Sequence, residues 1–65
     1  MSVEMIVCNQ NATIREAMII IDKNGKGTIF IIDNNKMLVG ILTDGDIRRL
    51  LLGGCGLNDS IRDYV

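Results

Sequence analysis

The sequence predicts an α+β unit of order β-α-β-β-α, a small sheet packed on two helices. Three observations lead there. Ile14, Ala17, Met18 and Ile21 recur at i, i+3, i+4 and i+7 behind a Thr13-x-x-Glu16 capping pattern, which marks an amphipathic helix. Two apolar runs, residues 27–32 and 37–42, flank the polar turn Asp33-Asn34-Asn35-Lys36 and read as paired strands. The second run stops abruptly at Thr43-Asp44-Gly45-Asp46, where Ile47, Leu50 and Leu51 begin a second helical spacing.

The chain opens with an apolar segment, Val3 to Cys8, that reads as a strand ending at Asn9-Gln10-Asn11. The first helix follows, and Asn24-Gly25 supplies its left-handed stop. Ile19 and Ile20 widen its apolar stripe, either as ordinary core or as a surface for a second copy. Gly27 to Ile32 lacks polar alternation, so the expectation is a strand buried on both faces. Asparagine tolerates positive φ and suits the turn that returns the chain, antiparallel, through Met37 to Leu42. The second helix carries Arg48 and Arg49 on its polar face and ends at Gly53-Gly54. Ser60-Ile61-Arg62-Asp63-Tyr64-Val65 then repeats the opening of the first helix in hydroxyl, Ile, Arg, acid and apolar order. A single capped turn is expected there, where the chain hands over to a second unit.

At 65 residues the chain is one domain at most, able to bury only ~60% of its unfolded surface. Yet 48% of its residues are hydrophobic and its mean hydropathy is +0.28, more apolar than so small a body hides. No run is long enough to span a membrane and no signal peptide opens the chain, so a partner surface accounts for the surplus and the expected location is cytoplasmic. A net charge of -1 with one Tyr and one Phe argues against a nucleic-acid partner. Cys8 and Cys55, far apart, read as reduced thiols rather than a disulfide. With no His and no cysteine cluster, neither a zinc site nor the usual general base is available, and no enzymatic activity is expected.

The candidate chemistry sits where the last strand meets the second helix. A strand, a polar turn and a helix start gather free backbone amides and short oxygen-bearing side chains in one small space. Thr43 and Asp46 also have the Thr-x-x-Asp spacing of a capping box, so a purely structural role stands beside a ligand role. Asp44-Gly45-Asp46 further permits an Asp-x-Asp divalent-metal reading, although no sugar-nucleotide domain fits in this length. Arg48 and Arg49 read as a solvated face or as phosphate contacts.

This order of elements, closed by Gly40-Ile41-Leu42-Thr43-Asp44-Gly45-Asp46, resembles the CBS domain (cystathionine β-synthase domain). The hairpin from Ile31 to Gly40 looks like the central hairpin of that family, and the similarity runs from about Met5 to the second helix. Leu42 to Arg49 is similar to CBS units attached to sugar-phosphate isomerases and sugar nucleotidyltransferases. The resemblance implies a CBS unit over residues 1–57, with 58–65 a linker or the start of a second unit. It implies pairing with another CBS unit in a Bateman module, here by a homodimer standing in for the pair, and an attached catalytic domain outside this chain. The ligand implied is an adenosine compound (AMP, ATP or S-adenosylmethionine) in a regulatory role, with no cofactor required. A ligand-free dimerisation module is the alternative.

By the same resemblance Asp46 accepts from the ribose hydroxyls, Thr43 binds near ribose and phosphate, and Ile41 walls the base. The backbone at Lys26 and Gly27 reads the adenine edge. Ala12 stands where relatives carry a Thr that holds a phosphate, and its missing hydroxyl removes that contact.

Overall fold

In a computed structural model that describes residues 6–65, three strands form one sheet in the order β1-β2-β3. They are β1 (Val7–Asn9), β2 (Thr28–Ile32) and β3 (Leu38–Thr43), separated by α1 (Ile14–Asn24) and followed by α2 (Asp44–Leu52). The β-α-β-β-α order and the sheet on two helices are those the sequence predicts. β1 runs parallel to β2, and β3 runs antiparallel to it with Thr28 opposite Thr43 and Phe30 opposite Ile41. The first strand was expected over residues 3–8; of these, residues 3–5 lie outside the described residues, and β1 extends to Asn9.

Both helices cover the same sheet face. Ile14, Ala17 and Ile21 of α1 and Ile47 of α2 close over Ile29 and Ile31 of β2 and Leu42 of β3. At ~25 cal/mol per Å² of apolar area removed from water, this layer is the main stabilising term. Cys8 joins it, and burial, with Glu16 nearby, pushes its thiol pKa up; such a thiol is unreactive. Met18, placed on the core stripe by its spacing, is instead partly exposed, as is Ile19, whereas Ile20 packs against the core.

Strand β2 is buried on one face only. Ile29 and Ile31 are fully inside, but Phe30 on the opposite face is 38% exposed beside Ile41 at 50%. The uniformly apolar run reflects an outer sheet face that is apolar and uncovered in the single chain. In the turn, positive φ falls on Lys36 (63°) and on neither asparagine. Asp33 Oδ1 accepts from the amides of Asn35 and Met37, which pins the asparagines and passes the reversal to Lys36.

The last eight residues fold back onto the unit. A 3-10 turn over Ile61–Asp63 seats Ile61 in the core with no exposed surface. The Ile61 amide donates to the Ala12 carbonyl at 2.9 Å and the Arg62 amide to the Gln10 carbonyl at 3.0 Å. Ser60 does not cap this turn; its hydroxyl donates to the Gln10 carbonyl at 3.2 Å, which binds the tail to the β1–α1 loop.

Candidate functional site

The strand-to-helix junction is built by the sequence in the way a capping box requires. Thr43, the last residue of β3, keeps extended geometry and becomes the N-cap of α2. The Asp46 amide donates to Thr43 Oγ1, and the Thr43 amide donates to Asp46 Oδ2, both at 3.0 Å. The other carboxylate oxygen, Oδ1, accepts from Arg49 Nη2 at 2.7 Å. The Thr43 N–H, helped by the Thr43 hydroxyl and the Arg49 guanidinium, holds the Asp46 carboxyl below the usual aspartate range. Arg48 pairs with Asp44 one turn back at 3.1 Å, in an exposed bridge of modest worth. Both arginines are thus paired with carboxylates of their own helix, and each acid of the Asp-x-Asp pattern carries an arginine partner.

The neighbouring turn is held against this junction. The Asp44 amide donates to the Gly27 carbonyl at 2.8 Å, so the Lys26-Gly27 backbone lies beside the start of α2. Gly27 has φ of 71°, a left-handed geometry that favours glycine, and a side chain there would meet nothing nearby. Asn24 sets this turn from below: its Oδ1 accepts from the Lys26 amide at 2.7 Å and its Nδ2 donates to the Thr28 carbonyl at 3.2 Å. Sequence reading took Asn24 only as part of a helix stop. Its buried side chain is what fixes the path of residues 26–28.

Five of the six residues singled out by sequence therefore meet at one end of the sheet. Thr43 and Asp46 form the helix start, Lys26 and Gly27 the adjoining turn, and Ile41 the outer sheet face two residues back. Thr28, directly opposite Thr43, and Phe30, opposite Ile41, join the same face. Sequence reading passed over both because the alternation that marks a two-sided strand was hidden by apolar residues on each side. Ala12 does not join them. Asn9 pairs with Ile32 at the far end of β2, four residues or about 13 Å from Thr28, and Ala12 lies beyond Asn9. Within one unit Ala12 and Thr43 thus lie toward opposite ends of the sheet.

At the tail, Asp59 Oδ2 accepts from the Gly56 amide at 2.9 Å and from the Tyr64 hydroxyl at 2.8 Å. The Gly56 amide, then the Tyr64 hydroxyl, lower the Asp59 pKa, while the bond to Asp59 raises that of Tyr64.

A sheet of this order, with a Thr-x-x-Asp helix start closing its last strand, defines a CBS unit, and the CBS-domain family profile matches residues 1–53. The chain belongs to the CBS domain family. Among curated proteins it is 33% identical, over 54 residues, to arabinose 5-phosphate isomerase GutQ of Escherichia coli O6:H1, covering 83% of this chain and 17% of that protein. Among solved structures, Staphylococcus aureus OpuCA superposes with a TM-score of 0.74 at 33% identity, covering 89% of this chain and 47% of that one. A CBS domain protein from Pyrobaculum aerophilum, complexed with AMP, shares the fold with a TM-score of 0.80 at 22% identity, over 94% of this chain and 52% of that one. The chain thus spans about a sixth of the isomerase and about half of each solved chain. Among the described residues no helix is long and apolar enough to cross a membrane.

Proposed function

We propose that this CBS unit binds an adenosine nucleotide where its open sheet face meets a second CBS unit, and that occupancy regulates an enzyme carried outside these residues. The observation that carries the reading is the convergence of Thr43, Asp46, Ile41 and the Lys26-Gly27 backbone at one end of an uncovered apolar sheet face. Each Asp46 oxygen has one donor, and a carboxylate oxygen accepts two, so capacity for a ribose cis-diol remains. The side chain is 38% exposed and lies at a helix N-terminus, whose amides and partial positive charge suit a phosphate. Ile41 gives a base one apolar wall; a second copy of the chain, or a second CBS unit, supplies the other.

The AMP-bound relative supports an adenosine ligand, with AMP, ATP and S-adenosylmethionine the compounds to try. The likeness to arabinose 5-phosphate isomerase supports a sugar-phosphate enzyme as the attached partner. Regulation then works by differential affinity: the ligand favours whichever arrangement of the two units binds it better, and no more strongly than that difference allows. A cytoplasmic homodimer that needs no cofactor and performs no chemistry itself completes the proposal.

One observation favours a second reading, a ligand-free dimerisation module: Asp46 is already engaged by Thr43 and Arg49. Isothermal titration of the three compounds against the unmodified chain, Asp46→Ala and Asp46→Asn separates the two. The asparagine variant keeps an acceptor for the Thr43 amide and so preserves the cap. The sensor reading expects at least one compound to bind and both variants to weaken it about tenfold or more. Absence of binding, or equal binding by all three proteins, leaves the dimerisation module.

A further inference from the structure

The charged side chains at the start of α2 cancel in pairs. Arg49 holds Asp46 at 2.7 Å and Arg48 holds Asp44 at 3.1 Å. Asp44 also lines the groove along Met18 and Ile19 of α1, so its pair lies toward the helix side of the sheet. Neither arginine can meet a ligand's charge at the outer sheet face without giving up a carboxylate of its own helix.

The adjoining turn carries one further cation. Lys26 is exposed, and among the described residues its ammonium has no ion-pair or hydrogen-bond partner. Its backbone, by contrast, is held on both sides. The Lys26 amide donates to Asn24 Oδ1 at 2.7 Å, and the carbonyl of the next residue, Gly27, accepts from the Asp44 amide at 2.8 Å. A lysine is a compact charge on a flexible four-carbon stem. Here the root of the stem is fixed beside the helix start while the head stays free. Lys23 is placed differently: it stands in the last turn of α1, where its charge complements the helix dipole. Lys26 lies past the Gly25 cap, outside that turn.

Adenosine compounds differ mainly in the charge at the 5′ position. A monophosphate carries about two negative charges at neutral pH. A triphosphate carries more, and S-adenosylmethionine carries a sulfonium cation instead. One free ammonium, with the partial positive charge of the α2 amides, matches a single phosphate group. The outer groups of a triphosphate find no further free cation among the residues of this junction, and a sulfonium is repelled by the ammonium. Given the proposed nucleotide site, on which this rests, we infer that the Lys26 side chain selects the ligand by its 5′ charge. The compound taken is a nucleoside monophosphate, in preference to the triphosphate or to S-adenosylmethionine.

Isothermal titration with adenosine, AMP, ATP and S-adenosylmethionine tests it, using the unmodified chain, Lys26→Gln, Lys26→Arg, Lys23→Gln and Asp46→Asn. The unmodified chain is expected to bind AMP at least about fivefold more tightly than each of the other three compounds. The ratio of AMP affinity to adenosine affinity is expected to fall about tenfold in Lys26→Gln and to stay within about threefold in Lys26→Arg and Lys23→Gln. Added salt is expected to lower that ratio in the unmodified chain and much less in Lys26→Gln. Because each ratio is taken on one protein, a general folding defect cancels from it. An AMP-to-adenosine ratio in Lys26→Gln equal to that of the unmodified chain overturns the inference, as does ATP or S-adenosylmethionine binding more tightly than AMP. If AMP binding is lost in Asp46→Asn yet indifferent to Lys26, the nucleotide site stands and only the role of Lys26 falls. Binding of none of the four compounds overturns both.

Discussion

Thr43 and Asp46 hold each other through two reciprocal bonds of 3.0 Å, each side chain accepting from the other residue's amide. The pair ties the end of β3 to the start of α2 and holds the Asp46 carboxylate at the helix start. Thr43→Ala removes the acceptor for the Asp46 amide and is expected to cost about 1 kcal/mol in urea unfolding, while Thr43→Ser costs a few tenths. Equal loss in both variants would mean that the methyl group, not the cap, is what matters.

The same pair sets an acid response. The folded pKa of Asp46 is lowered, so its contribution to stability is complete above the unfolded value of about 3.9 and is lost as pH falls through the depressed folded value. Asp46→Asn has no such titration. Its stability between pH 5 and pH 2 is expected to fall less steeply than that of the unmodified chain; these numbers bracket the roughly 3.9 reference. Parallel curves from the two proteins would sink the assignment.

The chain has a single tyrosine, so its titration is directly visible in the near-ultraviolet. Tyr64 donates to Asp59 at 2.8 Å, which raises its pKa above the ordinary value of about 10. The bond therefore stabilises the tail fully between the ordinary aspartate value of about 3.9 and about pH 10, and is lost as pH falls through the lowered folded value of Asp59 or rises through the raised folded value of Tyr64. Phenolate absorbance is expected to develop later than in a free tyrosine and to return toward the ordinary range in Asp59→Asn. An unshifted curve in the unmodified chain would contradict the bond.

Ile61 has no exposed surface although it lies beyond the matched family region. Ile61→Ala is expected to cost about 2–5 kcal/mol, much of the stability available to a unit of this size. A chain ending at Asn58 is expected to lose cooperative thermal unfolding altogether. If such a chain melts like the full one, residues 58–65 are a linker, as their sequence first suggests, and the packing of Ile61 is dispensable.

The two helices were legible because their signals are local. Thr13-x-x-Glu16 and Thr43-x-x-Asp46 are capping patterns read within four residues, and an apolar 3.6 period needs no knowledge of the partner surface. Five of the six candidate site residues came together because the turn at Lys26-Gly27 and the end of β3 are opposite one another in a hairpin, and a hairpin's pairing is largely set by its turn. Ala12 fell away from them because its place depends on β1 running parallel to β2, which moves the head of α1 to the other end of the sheet. Asn24 was underread for a related reason: its role rests on two bonds across the α1–β2 connection that spacing alone does not display.

By itself the sequence determined the order of elements, the helix start at Thr43, and an apolar excess for so short a chain. It did so because hydrophobic period, caps and turn residues act over a few positions. Which faces stay open was decided only in three dimensions. Phe30 and Ile41 on the sheet, and Met18 and Ile19 on α1, are as apolar as their buried neighbours, and only the packing of two helices on one side of three strands leaves them facing outward. The burial of Ile61 was likewise decided there, since it is contact with the distant Gln10–Ala12 loop that turns a terminal segment into part of the core.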